Sequence, residues 1–327
     1  MATGRRGVVP RQGAGTGQRR PQQRPGDHRV RRHLAAALVA LLPAAALPAA
    51  GQPPGGAAPT YADRPLSEIP NATAIDRRFW APGLDEGYVP QGITVAPDGA
   101  VLVSGYRSTD PKVGGGPARI WAIDPRNGSI RGSFDLPEGF AHAGGIAMGA
   151  DGRLWVADTR LLGRFDLARA LAEGDTAAAE RTWPLGAPLR GSFLSHHGGR
   201  LWLGAWNPNG EGQMSALRED ALEAADALDG RHVEVTFPIP SRAQGAAFDP
   251  AGAMWITRSS SRIGELLKLD PADGRVLATY PTAVGIEDIG FDADGHLWSV
   301  SEAGSRRWLA WTTFYPLLFR IDPARLR

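Results

Sequence analysis

The chain has 327 residues, 43% apolar and 21% charged, with 42 Gly, 27 Pro and no Cys. That is a globular composition, long enough for one large domain or two small ones. Without cysteine there is no disulfide, thiol nucleophile, thiolate-held zinc or lipidated anchor cysteine. The formal charge of +2 is unevenly spread: residues 1–50 carry nine Arg and one Asp, leaving 27 basic against 33 acidic residues, or −6, in the rest. The basic balance that nucleic-acid binding requires is therefore missing from the body of the chain.

Residues 1–33 are rich in Arg, Gly and Gln, and residues 34–47 read LAAALVALLPAAAL before Pro48-Ala49-Ala50-Gly51. A basic start, a short apolar core and small residues at a cleavage point predict an export signal over residues 1–50, with Arg31-Arg32 offering a twin-arginine match. The core has 14 residues and is interrupted by Pro43, whereas a membrane-spanning helix needs about 20. A secreted or periplasmic protein with no stable transmembrane helix after cleavage is the expectation. Residues 51–71, rich in Pro and Gly, are expected to be a linker.

From residue 72 onward one unit repeats. Hairpin corners and returning strands read PDGAVLV, ADGRLWV, HGGRLWL, PAGAMWI and ADGHLWS. Their glycines, Gly99, Gly152, Gly199, Gly252 and Gly295, are spaced by 53, 47, 53 and 43 residues. Glycine at a fixed place in a hairpin supplies the positive φ of tight turns. Three residues later stand Leu102, Trp155, Trp202, Trp255 and Trp298, flat apolar side chains suited to packing one sheet on the next. Third strands end in Asp-led corners, as in RIWAIDPRNG and LLKLDPADG, followed by a fourth strand.

Four antiparallel strands per ~45 residues make a blade of a β-propeller. Five corners predict five blades over residues 72–327. The last unit supplies three strands, and the spare strand in ATAIDRRFWAP (residues 72–82) closes it. Two Ala/Glu-rich insertions, residues 167–183 and 215–230, are expected to form short helices. The aromatic run of residues 308–319, WLAWTTFYPLLF, either folds back on the blade or meets a partner or membrane surface.

Chain direction gathers two sets of polar residues on one face of such a ring. At the starts of the innermost strands stand Gln91, His142, Ser192, Gln244 and Glu287; just past the second strands stand Tyr106, Asp158, Trp206, Asn207, Arg258 and Glu302. Glu287 is the leading candidate, since a carboxylate facing a channel needs a partner or a cation. Arg258 would neutralise Glu287 or hold an anionic ligand. His196-His197 lies at a turn on the other face and is read as turn surface. Metalloprotease, P-loop, dinucleotide and α/β-hydrolase motifs are absent from the sequence.

The units PQGITVAPDGAVLVSGY, HAGGIAMGADGRLWVADT and QGAAFDPAGAMWITRS resemble the SMP-30/gluconolactonase and NHL-type propellers, and more narrowly exported actinobacterial propellers. The resemblance spans residues 72–327 and rests on repeat motifs, with five units here where the lactonases have six. It implies a divalent cation, usually calcium, over the channel. GIEDIGFDADGHLWSV would place Glu287 as acidic ligand and base, and QGAAFDPAG would place Gln244 where the family has an amide ligand.

The expectation is then an exported, monomeric propeller that binds a small molecule or a protein or envelope partner over its channel face, through Gln91, Tyr106, Ser192, Trp206, Gln244 and Arg258. The alternative is a calcium-dependent lactonase-like hydrolase. Glu287 and His142 would be its catalytic residues, and Glu287, Asp158, Asn207 and Glu302 its metal ligands. A glycosidase using two of Asp158, Glu287 and Glu302, or a virginiamycin-type lyase built on His142, are further options on the same face.

Overall fold

The computed structural model describes residues 53–327; the export signal expected over residues 1–50 lies outside them. Twenty strands form five four-stranded antiparallel sheets. Blade 1 contains β2 (Tyr88–Val95), β3 (Val101–Arg107), β4 (Ala118–Ile123) and β5 (Ile130–Asp135). Blade 2 contains β6 (Gly145–Met148), β7 (Leu154–Asp158), β8 (Leu161–Phe165) and β9 (Arg181–Pro184). Blade 3 contains β10 (Phe193–His197), β11 (Arg200–Ala205), β12 (Gly212–Arg218) and β13 (Val233–Ile239). Blade 4 contains β14 (Ala243–Phe248), β15 (Met254–Ser259), β16 (Gly264–Leu269) and β17 (Val276–Pro281). Blade 5 contains β18 (Ile286–Phe291), β19 (Leu297–Ser301) and β20 (Leu317–Ile321), completed by β1 (Ile75–Trp80).

The first strands touch in cyclic order, β2 on β6, β6 on β10, β10 on β14, β14 on β18 and β18 on β2. The protein is a closed five-bladed β-propeller. The spare strand closes it as expected, with Ile75 opposite Ile321 and Trp80 opposite Leu317. The turn glycines have φ between 69° and 83°, which L side chains rarely adopt.

The recurring large side chains fill the seams between blades. Leu102, Trp155, Trp202, Trp255 and Trp298 are all buried. One apolar cluster lies at each of the five seams. Burying a tryptophan requires a partner for its N–H, and the hairpins supply it. Trp255 Nε1 donates to Asp249 at 3.0 Å, and Trp298 Nε1 to Asp292 at 3.1 Å. The acidic hairpin residues are thus part of the seam as well as of the turn.

The two insertions fold differently. The first gives helix α1 (Leu167–Glu173), started by Asp166 accepting from Arg169 N and stopped at Gly174 in the left-handed region. In the second, residues 215–218 continue β12, and only a 3-10 turn, Glu219–Ala224, follows. The carbonyls that an α-helix would use are taken there: Leu222 O accepts from Trp183 Nε1, and Glu223 O and Ala225 O accept from Arg181.

Residues 60–67, assigned above to the linker, lie against blade 5. Tyr61 OH donates to Gly304 O at 2.8 Å, Arg64 Nη2 to Thr312 O at 2.6 Å, and Phe314 N to Ser67 Oγ at 2.9 Å. They strap down the loop joining β19 to β20. Within the aromatic run, Phe314, Tyr315 and Leu317 to Phe319 are buried, while Trp308 and Trp311 stack 4.9 Å apart, half-buried. Most of that run therefore folds back on blade 5.

Candidate functional site

Counting back seven residues from each turn glycine gives Gly92, Gly145, Ser192, Gly245 and Asp288. These small residues let neighbouring first strands approach backbone to backbone. A Cβ on Gly245 would fall 2.4 Å from Asp288 Cα, and one on Gly145 would fall 2.1 Å from Leu194 N. Asp288 is the exception in this ring. Its carboxyl is fully buried, with Ile93 N and Ile146 N at 3.3 and 3.4 Å from Oδ2. Burial raises its pKa well above the usual carboxylate range, opposed by these backbone N–H groups and those of Ile289 and Ala246.

One residue earlier in the register stand Gln91, Gly144, Gly191, Gln244 and Glu287. Here the structure brings four candidates together. Gln244 Nε2 donates to Glu287 Oε1 at 3.2 Å, Gln91 Nε2 donates to Glu302 Oε2 at 3.3 Å, and the Glu302 charge acts directly on Glu287. Glu302 follows β19, and Glu287 lies in β18 of the same blade. They are 7% and 3% exposed.

Two buried carboxyl groups that feel each other's charge resist being ionised together. Burial, then the charges of Glu302 and Asp288, drive the Glu287 pKa well up. Burial also lifts Glu302, to about 7, against the opposing effects of Trp308, Arg307 and Gln91.

Arg307, which the sequence reading missed, and Trp308, read there only as the start of the aromatic run, cover the pair. Trp308 Nε1 donates to Glu302 Oε2 at 2.6 Å. Its neighbour Arg307 lies over the Trp308 ring at 4.2 Å and the Tyr106 ring at 5.5 Å. Arg307 also bonds the Tyr106 hydroxyl and donates to the carbonyls of Asp110 and Pro111 at 3.3 and 3.2 Å. Tyr106 in turn stacks on His142, with centroids 4.6 Å apart. The His142 Nδ1 sits 2.9 Å from Gly114 O, which orients the ring, and burial lowers its pKa. Trp308 to His142 is thus one continuous stack across blades 5, 1 and 2.

The other candidates are engaged elsewhere. Asp158 accepts from His142 N, Ala143 N and Thr159 N at 2.6, 2.8 and 2.9 Å, so both oxygens anchor a loop in which Ala143 has φ 49°. Asn207 bonds within its own turn, to Glu211 O and Asn209 N. Ser192 Oγ accepts from Trp206 N at 3.1 Å, and the Trp206 side chain is exposed. Arg258 pairs with Glu265 at 2.9 Å and donates to Ser241 O, so the neutralising partner expected for Glu287 is not this arginine. His196 bonds Glu219 at 2.8 Å, and His197 stacks on Phe248.

Metal-ligand geometry among three or more acidic or histidine groups occurs, among the described residues, at Asp292, Asp294 and His296 in a hairpin corner. Arg320 lies 3.3 and 3.9 Å from the two aspartates, and Trp298 donates to Asp292, so that cluster already has its counter-charge.

No family model matches the chain, and no curated protein matches it in sequence. Solved structures that it resembles include the Kuenenia stuttgartiensis hydrazine synthase, with 12% identity over 74% of this chain and 59% of that one, TM-score 0.40. The PQQ-bound aldose sugar dehydrogenase of Streptomyces coelicolor has 16% identity over 65% and 74%, TM-score 0.40. An inactive virginiamycin B lyase from Staphylococcus aureus with quinupristin has 17% identity over 70% and 82%, TM-score 0.37. The chain spans about three-fifths of the hydrazine synthase subunit it matches. The propeller class rests on the strand order itself. No helix of the described residues is long and apolar enough to cross a membrane.

Proposed function

We propose that this is an exported propeller that binds a small molecule over its channel face, at the Glu287–Glu302 pair. The supporting observation is the pair itself, two carboxyls buried against each other in a mouth whose neighbouring inner positions are glycine and amide. Burying acid groups costs stability unless they are fully paired. Holding them beneath a single loop suits a site better than a scaffold.

The test is thermal unfolding of wild type and Glu287→Gln against a panel of neutral, anionic and cationic small molecules. A ligand that binds only the folded state raises the midpoint by mass action. A rise that the variant loses supports the reading; no rise with any panel member counts against it.

A second reading, the calcium-dependent lactonase-like hydrolase, draws on the donor set. Glu287, Glu302, Gln91 and Gln244 converge and can present carboxylate and amide oxygens, which suit a hard cation. Those four would hold calcium, which when bound would polarise a lactone carbonyl. Glu302, titrating at about 7, is suited to moving a proton near neutral pH. Calcium and chelator arms in the same unfolding experiment separate the readings. The two-carboxylate glycosidase is disfavoured for this pair, because flanking acids about 5–9.5 Å apart are needed to accept a sugar or water between them.

A further inference from the structure

The neighbours of the carboxyl pair all offer it hydrogen. Gln244 and Gln91 turn amide N–H groups toward it and Trp308 turns its indole N–H. Positive charge is scarcer than this donor set suggests. Glu287, Asp288 and Glu302 are all buried, and the charges acting most on Glu287 are those of the other two acids. Arg307 acts on Glu302, but its hydrogen bonds go to Tyr106 and two backbone carbonyls.

Beside the pair stands an aromatic wall, His142 on Tyr106 and Trp308 on Trp311, and Arg307 already lies between Tyr106 and Trp308. Aromatic faces attract cations, most strongly where water is excluded. The protein's own arginine therefore displays the chemistry that this wall accepts.

We propose that the ligand is an organic cation with N–H donors, an alkylguanidinium or alkylammonium, whose head group settles on Glu287 and Glu302 in place of the Trp308 N–H. This rests on the small-molecule reading above and narrows it. The groups facing the pair are Asp288 from β18, Arg307 from the β19–β20 loop and Tyr106 from β3.

The probes are agmatine as chloride, calcium chloride, and xylitol as a neutral polyol, titrated calorimetrically into the purified full chain at fixed ionic strength. Agmatine is expected to bind and to lose affinity by about tenfold or more in Glu287→Gln, because one carboxylate partner of its charge is gone. Trp308→Phe keeps the ring and removes the competing N–H, so it should tighten agmatine severalfold. Glu302→Gln removes the other carboxylate and carries the same expected loss, so the test stands if one variant fails to fold. Equal agmatine binding in wild type and in either glutamine variant overturns the proposal. Glu287-dependent binding of xylitol or calcium without agmatine overturns the cation assignment and leaves the binding reading intact, whereas silence from all three overturns both.

Discussion

Raising the pH should weaken this fold, and Glu302 sets the size of the effect. In the folded protein its carboxyl titrates at about 7, against an ordinary value of 4.5. Between those values the native state holds a proton that the unfolded chain has released, so unfolding sheds a proton and stability falls as pH rises. The gap corresponds to about 3 kcal/mol, fully present below about pH 4.5 and lost by about pH 8. Glu287 and Asp288, also raised by burial, act in the same direction. His142 and His197, lowered by burial, act oppositely below about pH 6.5. The clean quantity is therefore the difference between wild type and Glu302→Gln, whose amide can still accept from Trp308 and donate to Glu287. Urea unfolding at half-unit steps from pH 4.5 to 8.5 should show the variant gaining about 3 kcal/mol on wild type across the range. A gain below about 1 kcal/mol, or one of opposite sign, would refute the argument that burial raises the Glu302 carboxyl.

Three further outcomes follow from the packing. Gly245→Ala places a Cβ 2.4 Å from the Asp288 backbone, and it should cost several kcal/mol in urea unfolding, about 3 or more; a loss under about 1 would show that the first strands separate easily. Trp298→Ala opens a cavity in the seam between blades 5 and 1 and removes one donor from Asp292, for an expected loss of about 3–5 kcal/mol, read from the denaturation midpoint. Arg64→Ala removes the strap on the carbonyls of Leu309, Trp311 and Thr312. Hydrogen exchange over residues 305–314 should quicken while the blades stay protected, and unchanged exchange there would mean that the loop is held from within.

Much of the architecture was legible because a propeller writes itself as a period. Gly99, Gly152, Gly199, Gly252 and Gly295 recur for one backbone reason, and the Trp three residues later recurs for one packing reason. Site chemistry has no period. Gln91, Gln244, Glu287 and Glu302 were found because chain direction alone puts them on one face. Asp158 and Asn207 share that face, yet their oxygens answer to local backbone, including the unusual φ of Ala143, which no spacing announces. Arg307 and Trp308 sit in an irregular loop whose course depends on Tyr61 and Arg64, more than 200 residues away in the chain. Asp288 was visible in principle: it breaks the run of small residues at Gly92, Gly145, Ser192 and Gly245, and a charged residue in such a ring is worth marking.

The clasp between β1 and β20 also has a consequence for timing. Arg320 grips Asp76 across 244 residues of chain, so this strand pair belongs to the contacts that form slowest, because so much chain must be gathered first. Until β20 arrives, β1 has no ladder partner and blade 5 presents a raw edge of the kind that invites pairing with other chains. Four blades can be complete while the molecule is still sticky. A chaperone that handles this protein meets its most vulnerable form late, when little of the fold remains to be made.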